Sequence, residues 1–493
     1  MVRVLIFGTH PKQFNGYSKV IYELIKRVHA SKDTNGIEIG VFGFQNYENN
    51  GGQHRPDLPS DIFLYDAFAN EQPKAIGFGI EQIKDVVEQF KPDVCIVYND
   101  LLIISNCLNK LTEIEDHKNK FKIVAYIDQV YLNQKKVYMD IVNAKADAAI
   151  LFTEYWRKTI VDQGLKIPTF VLQHGFDAST HYPIPKAVAR AYLGLSPDDF
   201  LILNLNRNQP RKRWDTCLKA LAEVIQRNPE SKIKLIIGTA LQGSWDLVEI
   251  FERELKKRNL TLQDGLKHVV IIENPQKLSD YDVNIIYNVA DIGINTCDGE
   301  GFGLCNFEQA AIGVPQVVPR LGGFQDFFND DRCNFVDPTL AYYVDTTRDH
   351  VCGEALMCSY YDFVTAIESY YLDRKLLEAH GKACREHIPK TYAWNKIAED
   401  FVAIIDAVHP SSVKAAIEVV DTSSLSIIDE IDETTPAAEE VPVVEEKKEE
   451  GSKKKKNKKS SSKSKAAASD VQAELALMRQ AIELLLKEKA AAK

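Results

Sequence analysis

Two glutamates flank a glycine-rich turn in the stretch CDGEGFGLCNFEQAAIGVPQVVP, residues 297–319. Glu300 stands beside Gly301 and Gly303, where bare backbone lets a ligand approach the main chain closely. Glu308 falls just inside the apolar helix predicted to follow, and a helix start offers unpaired N–H groups and a positive dipole end. This combination suits a phosphate or an array of sugar hydroxyl groups. A capped helix start, in which Glu308 contacts no ligand, accounts for the same residues.

Basic side chains cluster after a predicted strand in LNLNRNQPRKRWD, residues 203–215. They are Arg207, Arg211, Lys212 and Arg213. At the carboxyl edge of a sheet this cluster suits a diphosphate, because Arg binds phosphate in a bidentate manner and Lys supplies a point charge. A solvated basic turn would explain Arg211 or Arg213 alone. It explains the whole set less well, because the cluster lies on the same predicted sheet edge as the 300–308 turn.

Weaker signals lie at the predicted strand ends of the first half. GTHPKQFNGYSKV, residues 8–20, carries Gly8 and Gly16 ahead of a helix and has the outline of a phosphate loop. It contains neither GxGxxG nor GxxxxGK(S/T), so a dinucleotide site or a P-loop is poorly supported. Other polar strand ends are Asn99, Asp100, Asp128, His174 and Asp177. Because strand-end carboxylates commonly cap the next helix, capping is the simpler explanation for the acidic ones.

Short apolar runs alternate with amphipathic stretches over roughly the first 400 residues. The first strand-like runs are 2–8, 37–44, 92–100, 121–128, 146–153 and 169–175, and a second set is 200–206, 233–239, 267–274, 290–296 and 315–319. Near-continuous apolar strands between helices indicate parallel sheets covered on both faces. The turn-rich stretch 174–188 separates the two sets. We therefore predict two doubly wound α/β domains with a ligand cleft between the carboxyl ends of their sheets.

The composition is that of a globular protein with an acidic excess. A chain of 493 residues is too long for one core, and a formal net charge of −10 argues against a surface built for nucleic acid. No apolar run approaches the roughly 20 residues that span a bilayer, and the start does not resemble a signal peptide. The nine cysteines are scattered, without CxxC pairs or clustered histidines. We expect reduced thiols, no zinc site and a cytoplasmic location.

The chain changes character after about residue 410. Residues 421–450 are acidic and residues 451–465 are rich in Lys and Ser, and both are predicted to be disordered because they bury too little apolar surface. The lysines could bind an anionic membrane weakly, or RNA, while a solvated linker is the simpler explanation. The final segment is predicted to form a helix for self-association or partner docking. Its a/d positions are Val471, Leu475, Met478, Ile482 and Leu485.

Residues 284–328, which contain the glycine-rich turn, resemble the donor-site core of retaining GT-B glycosyltransferases. The similarity is to the large group 1 family that includes sucrose synthases and mannosyltransferases, whose hallmark is two glutamates separated by seven residues with GFG after the first. NRNQPRKRWD resembles the Arg and Lys pair of that family, and related enzymes of large DNA viruses have a similar stretch. HGFD, residues 174–177, resembles its interdomain hinge, and residues 392–408 resemble its helix crossing back to the first domain.

The resemblance implies a GT-B fold in which two Rossmann-like domains face a cleft. The divisions it predicts are an acceptor-side domain at 1–180, a nucleotide-sugar donor domain at 181–390, a helix crossing back at 391–410, a disordered linker at 411–468 and an amphipathic, coiled-coil-like helix at 469–493. The implied activity is retaining transfer of a hexose from a nucleoside diphosphate sugar to a glycan, protein or lipid, without a metal ion or cofactor. The leaving phosphate helps to deprotonate the acceptor in this family, so no protein nucleophile is required.

The resemblance also implies a role for each matched residue. Glu308 would accept hydrogen bonds from the donor's ribose, and Glu300 would hold the sugar and its phosphate with the 301–304 backbone. Arg207 and Lys212 would neutralise the diphosphate leaving group. Base-reading contacts are expected near IIENPQKL, residues 271–278. The implied donor-binding residues are Gly16, Arg207, Lys212, Asn274, Glu300, Gly301, Phe302, Gly303, Leu304 and Glu308.

One departure concerns the acceptor side. Many relatives carry a histidine after the fourth strand of the first domain, whereas this chain reads AYIDQVY and has Asp128 there. Asp128 either takes over positioning or marks an altered site, and it joins Glu300, Arg207 and Lys212 as a candidate catalytic residue. The alternative function is a non-catalytic assembly protein that binds a nucleotide sugar and acts through its C-terminal tail. Sugar-nucleotide epimerisation or phosphorolysis suits the fold but matches the 300–308 signature less well.

Overall fold

The structure is a computed structural model of the 493-residue chain. It describes residues 1–409 apart from 14, 48–54, 73–75, 273–274, 276–277 and 349. The described residues belong to one compact unit. Asn274, the linker predicted at 411–468 and the helix predicted at 469–493 lie outside them.

The first half forms a seven-stranded parallel sheet in the order β3-β2-β1-β4-β5-β6-β7. The strands are β1 (Val2–Thr9), β2 (Ile37–Phe44), β3 (Phe63–Asp66), β4 (Val94–Asn99), β5 (Lys122–Ile127), β6 (Ala148–Leu151) and β7 (Thr169–Val171). In the central pair, β1 lies beside β2 from Val2 opposite Ile37 to Thr9 opposite Phe44. Every residue of β4 is buried, as expected of a strand covered on both faces.

Helices connect these strands and cover both faces of the sheet. They are α1 (Gly16–Ala30), α2 (Lys32–Asn35), α3 (Ala67–Asn70), α4 (Ile83–Phe90), α5 (Leu101–Thr112), α6 (His117–Lys120), α7 (Lys136–Lys145) and α8 (Glu154–Asp162), with a 3-10 turn at Ile80–Gln82. Apolar residues of α1 pack in one core cluster with Val4 and Ile6 of β1, while those of α4 and α5 pack in another with Leu5 and Phe7. The side chains of β1 thus belong alternately to two separate core layers.

The second half forms a six-stranded parallel sheet in the order β10-β9-β8-β11-β12-β13, followed by an antiparallel hairpin. The strands are β8 (Phe200–Asn204), β9 (Ile233–Ile237), β10 (Val269–Ile271), β11 (Ile292–Ile294), β12 (Gln316–Pro319) and β13 (Cys333–Val336), and the hairpin is β14 (Pro338–Val344) and β15 (Gly353–Cys358). The helices are α9 (Lys186–Leu193), α10 (Trp214–Arg227), α11 (Leu247–Lys257), α12 (Leu262–Leu266), α13 (Asp280–Val289), α14 (Leu304–Ala311), α15 (Phe324–Phe327), α16 (Tyr360–Leu372), α17 (Arg374–Thr391) and α18 (Trp394–Val408), with a 3-10 turn at Pro210–Lys212.

The two halves share a hydrophobic core. Phe302 of the second half clusters with Phe152 of the first, and α18 returns to pack against α1. Gly175 lies so close to Trp394 of α18 that an added Cβ would come within 2.4 Å of its ring. The predicted fold class of two doubly wound parallel-sheet halves is confirmed. Among the helices of the described residues, none combines the length and the apolar character needed to cross a membrane.

Candidate functional site

The glycine-rich turn lies between β11 and α14, at the carboxyl end of the second sheet. Gly303 precedes α14 with a φ of +90°, a conformation that other residues disfavour. A Cβ added there would lie 2.3 Å from Phe324 Cε1, and a Cβ added to Gly301 would lie 2.1 Å from Asp128 Oδ1. Protein side chains therefore fill the space beside both glycines. Because Asp128 follows β5, the turn is also a point of contact between the two halves.

Glu300 is buried at this turn and is held by two cations. Its carboxylate accepts a hydrogen bond from Lys212 Nζ and lies 3.3 Å from Arg211 Nη1. Burial opposes a charge on Glu300, but Lys212 and Arg211 outweigh burial and lower its pKa to about 2. Glu300 is therefore ionised throughout the neutral pH range.

The basic turn after β8 is bonded directly to the glycine-rich turn. The N–H of Asp298 donates to the carbonyl of Arg211 at 3.0 Å, and the Thr296 hydroxyl donates to the carbonyl of Arg213 at 3.0 Å. The Arg213 side chain binds both oxygens of Asp215 at 2.8 Å, and its Nη1 lies 3.4 Å from Asp298 Oδ2. Of the basic cluster, Arg213 therefore pairs with Asp215 and Asp298, while Arg211 joins the group around Glu300.

Arg207 differs from its basic neighbours in the exposure and in the bonding of its guanidinium. The side chain is exposed, and the part of the chain that the structure describes supplies no ion pair or hydrogen bond to it. Although solvent reaches Arg207, desolvation by the surrounding protein and the charge of Arg211 lower its pKa. Arginine nevertheless remains charged at neutral pH. Arg207 is thus an exposed cation whose charge interacts with that of Arg211.

Glu308 forms a second charged centre inside α14. Lys19 Nζ lies 2.6 Å from Glu308 Oε1, the Tyr287 hydroxyl donates to Oε2 at 3.0 Å, and His181 Nε2 lies 3.4 Å from Oε2. Burial opposes the charge on Glu308, but Lys19 and His181 outweigh it and hold the pKa of Glu308 well below its usual range. Because Lys19 belongs to α1, this ion pair joins the two halves of the molecule.

Gly16, Leu304 and Phe302 lie close to these centres in different ways. A Cβ added to Gly16 would lie 3.1 Å from Leu304 Cδ1, so the starts of α1 and α14 face each other. The ring of Phe302 points into the core, with its centroid 4.6 Å from that of His174 and 5.0 Å from that of Phe327. Burial lowers the pKa of His174 to about 3, so it is a neutral packing residue. Contact between Phe302 and a ligand is therefore limited to its backbone.

Asp128 reaches the glycine-rich turn from the first half. The Tyr17 hydroxyl donates a hydrogen bond to its carboxylate. Burial raises the pKa of Asp128 to about 6, and the Tyr17 hydrogen bond and the charge of Arg211 offset burial only in part. The site thus contains two carboxylates, Asp128 and Glu300, whose pKa values are shifted in opposite directions.

The remaining polar strand ends have structural roles. Asp100 caps α5, as the sequence predicted, because its carboxylate accepts from the N–H groups of Leu102 at 3.0 Å and Ile103 at 3.1 Å. Asp177 pairs with Arg27 at 2.9 Å. Sequence reasoning missed several site residues, namely Tyr17, Lys19, His181 and Tyr287. The position of Tyr17 and Lys19 just after Gly16, at the first helix start, is a signal from which they could have been predicted.

A hairpin supports the glycine-rich turn from the side. Arg348 Nη2 lies 2.7 and 2.6 Å from the two oxygens of Asp298, and the Tyr342 hydroxyl also donates to this buried carboxylate. The hairpin crosses to the first half, where Leu132 and Glu354 pair as an antiparallel bridge. It therefore links the glycine-rich turn to the loop that follows Asp128.

This arrangement places positive charges around the buried carboxylate of Glu300. Lys212, Arg211 and Arg207 lie around Glu300 and are held by a folded turn, so they require little rearrangement to stabilise a developing negative charge. Within the described ranges, no three or more His, Cys, Asp or Glu side chains are grouped so as to hold a metal ion. The chemistry that these residues favour is binding and release of a phosphate group.

Comparison with known proteins assigns a family to this part of the chain. Residues 186–341 match the family described as glycosyl transferases group 1. D-inositol 3-phosphate glycosyltransferase 2 from Catenulispora acidiphila is 33% identical over 159 residues, covering 32% of this chain and 36% of that protein. The D-inositol 3-phosphate glycosyltransferase from Saccharomonospora viridis is 28% identical over 200 residues, covering 40% and 45%. The chain thus spans less than half of the length of these relatives.

Solved structures resemble the chain over a larger part. Sucrose-phosphate synthase from Thermosynechococcus elongatus has a TM-score of 0.64 at 16% identity, covering 84% of this chain and 100% of that chain. Anabaena Alr3699/HepE, solved in complex with UDP-glucose, has a TM-score of 0.59 at 14% identity, covering 83% and 100%. At these identities the likeness shows the fold alone, which is GT-B. This fold and the match over residues 186–341 together support a group 1 glycosyltransferase.

Proposed function

We propose that the chain transfers a hexose from a nucleoside diphosphate sugar to a glycan, protein or lipid acceptor, with retention at the anomeric carbon and without a metal ion. The observation that carries this proposal is the group of cations at the glycine-rich turn. Lys212 and Arg211 hold Glu300. The Arg207 guanidinium has no partner in the described structure, and its charge interacts with those of Arg211 and Glu300. All four residues fall in the part of the chain that matches the family.

The cations suit the step in which the nucleoside diphosphate departs. Departure builds negative charge on the phosphate, and preorganised cations stabilise that charge without a reorganisation step. Arg207 can bind the diphosphate without breaking an existing contact, whereas Lys212 turns to it from Glu300. The proposed independence from metal rests on this supply of positive charge.

Glu308 is proposed to bind the ribose of the donor. An ionised carboxylate is a strong acceptor for hydroxyl groups, and the pKa of Glu308 is held well below its usual range. In the structure Lys19 occupies one oxygen of this carboxylate. Donor binding therefore requires Glu308 to be shared between Lys19 and the ribose hydroxyl groups.

The reaction is proposed to take place on one face of the sugar, with the leaving phosphate accepting the proton of the acceptor. Glu300 is poorly suited to attack the anomeric carbon, because Lys212 and Arg211 contact its two oxygens. Asp128 is proposed to orient the sugar or the acceptor hydroxyl from the opposite half. The pair Asp128 and Glu300 is therefore not proposed to act as the acid and base of a hydrolase.

The relatives indicate which substrates to test first. HepE was solved with UDP-glucose, and the curated relatives are named as D-inositol 3-phosphate glycosyltransferases. For this chain we propose UDP-glucose as the first donor in a panel that also contains GDP and ADP sugars. D-inositol 3-phosphate is one member of the acceptor panel.

The experiment that tests the proposal is a thermal-shift titration of the full chain with UDP, GDP, ADP and their glucose or mannose conjugates, followed by a turnover assay. A ligand at about 100 times its Kd should add roughly 2.7 kcal/mol of stability. We expect a shift with one nucleotide base that is lost in Glu308→Gln and kept in Glu249→Gln, an exposed control. Binding without turnover would favour the alternative, an assembly protein acting through its tail. The absence of any shift would contradict both functions.

A further inference from the structure

Two cations share the Glu300 carboxylate, but they are fixed in different ways. Lys212 Nζ binds one oxygen, and Arg211 Nη1 lies 3.3 Å from the other. The same nitrogen of Arg211 also donates to the backbone carbonyl of Gly299 at 3.0 Å. Arg211 is therefore anchored to the turn that carries Glu300. In the described residues, Glu300 is the side-chain partner that holds the Lys212 ammonium.

This difference becomes important when a diphosphate enters the cleft. Under the proposed function Lys212 turns to the phosphate, so Glu300 loses one of its two cations. Glu300 is only 5% exposed, and a buried carboxylate that lacks a cation tends to take up a proton. A protonated Glu300 would have lost much of its strength as an acceptor for sugar hydroxyl groups.

Arg211 is placed to prevent this loss. Its anchor on Gly299 keeps it at the turn, and its charge acts on both carboxylates of the site, Glu300 and Asp128. Asp128 and Glu300 repel each other, since each carboxylate disfavours the charge of the other. Arg211 is thus the cation that both carboxylates share.

We propose that Arg211 is a positioning residue that keeps Glu300 charged and aimed at the hydroxyl groups of the donor sugar after Lys212 has moved to the diphosphate. Arg211 thereby sets how strongly the site discriminates between hexoses that differ at one hydroxyl group. This inference rests on the proposed function, because it requires a nucleotide sugar in the cleft.

The test compares Arg211→Met and Arg211→Lys with the wild type in the full chain. The probes are UDP, UDP-glucose and UDP-galactose, or GDP, GDP-mannose and GDP-glucose if the thermal-shift titration selects guanosine. Arg253→Met is the matched control, since Arg253 is an exposed arginine paired with Glu249 on α11. Three quantities are measured for each variant: the Kd of the nucleoside diphosphate, kcat for each sugar donor, and the pH profile of kcat/KM.

We expect Arg211→Met to lower kcat about 100-fold, the loss that misplacement of a reacting group by about 1 Å can cause. The Kd of the nucleoside diphosphate should change little, because Arg207 and Lys212 remain. The ratio of kcat/KM between the two hexose donors should approach 1. The acid limb of the pH profile should move to higher pH, because the charge of Arg211 lowers the pKa values of both Asp128 and Glu300 in the wild type. Arg211→Lys should recover part of kcat, and Arg253→Met should match the wild type.

Two results would overturn the inference while leaving the proposed function in place. One is wild-type kinetics in Arg211→Met. The other is an equal loss of diphosphate binding and turnover with unchanged hexose discrimination and pH profile, which would show that Arg211 only holds the turn together. Failure of the wild type itself to bind or turn over any nucleotide sugar would overturn the proposed function, and this inference with it.

Discussion

The ammonium of Lys19 lies 2.6 Å from the carboxylate of Glu308, and this contact joins α1 of the first half to α14 of the second. Both side chains are largely buried, with 13% and 7% exposure. The same ammonium lies 2.8 Å from His181 Nε2. A buried charge that loses its partner is strongly destabilising, so the contact ties the closed arrangement of the two halves to the stability of the chain.

Replacement of Lys19 by Met should lower the free energy of unfolding at pH 7 by about 3 kcal/mol, because it leaves Glu308 buried without its principal cation. The pKa of Glu308 is lowered in the folded state. The stability that the ionised Glu308 contributes is therefore present above its pKa in the unfolded chain, about 4.3, and is lost as the pH falls below that value. The deficit of Lys19→Met should therefore shrink below about pH 4. Denaturant unfolding at pH 7 and pH 3.5 measures it.

The double variant Lys19→Met/Glu308→Gln provides the control for this prediction. Because it removes both charges, it should recover much of the stability lost in Lys19→Met at pH 7. Strictly additive losses in the double variant, or a deficit that is equal at both pH values, would contradict an energetic coupling between the two residues.

Arg207 and Lys212 should respond differently to replacement by Met. Arg207 is exposed and has no partner in the described structure, so Arg207→Met should leave the free energy of unfolding within about 0.5 kcal/mol of the wild type. It should still lower kcat about 100-fold, because a cation for the leaving diphosphate is lost. Lys212→Met should lower both stability and kcat, since Glu300 is left buried with one cation fewer.

Denaturant unfolding and steady-state kinetics on the two variants separate these effects, with Arg253→Met as the surface control. Normal turnover in Arg207→Met would remove this residue from the proposed leaving-group site. Equal destabilisation by the two changes would show that Arg207 has a structural partner in the folded protein.

The two sheets could be predicted from the sequence because strands that are buried on both faces consist of continuous apolar runs. Every residue of β4 and β8 is buried, and both strands lie inside predicted runs. The sequence missed β3 and β13, where residues of intermediate exposure and polar side chains interrupt the apolar pattern. It also missed the hairpin, because β14 exposes much of its surface and lacks a continuous apolar run.

The donor side of the site follows from the spacing of Glu300 and Glu308 and from the basic turn, because these residues are close along the chain. Their partners do not follow in the same way. Lys19 meets Glu308, and Tyr17 meets Asp128, only because the two sheets pack with their carboxyl ends together. Local patterns of charge or hydrophobicity do not predict which residues of the two halves will contact each other.

Asp128 should make the protein less stable as the pH rises. Burial raises its pKa to about 6, above the unfolded value of about 3.9, so the folded chain binds this proton more tightly. The stability tied to Asp128 is therefore full below about pH 4 and is lost as the pH rises through about 6. Asp128→Asn removes that loss and should raise the free energy of unfolding at pH 7 by about 1 kcal/mol. This is less than the free energy that corresponds to the whole pKa shift, because solvent reaches part of the side chain.

The same change should lower turnover, because the ionised carboxylate is proposed to orient the sugar or the acceptor. In the wild type, kcat/KM should rise with pH through about 6, and this limb should be absent in Asp128→Asn. Unfolding curves at pH 4 and pH 7 and a pH profile of kcat/KM check both parts. A wild-type profile that is flat from pH 5 to pH 7, or a variant less stable than the wild type at pH 7, would contradict this assignment.

The bridge between Leu132 and Glu354 should hold the acceptor-side loop against the hairpin. The N–H of Glu354 donates to the carbonyl of Leu132 at 2.7 Å, and the N–H of Leu132 donates to the carbonyl of Glu354 at 3.1 Å. Proline lacks an N–H, so Glu354→Pro should break the shorter bond, speed amide exchange in residues 130–135 and lower kcat. Glu354→Gln keeps the backbone bonds and changes only the contact of Asn133 with the side chain, 2.9 Å long. The amide exchange rates and kcat of Glu354→Gln should therefore be close to those of the wild type. Equal effects of the two variants would show that the side chain of Glu354, and not the backbone bridge, holds the loop.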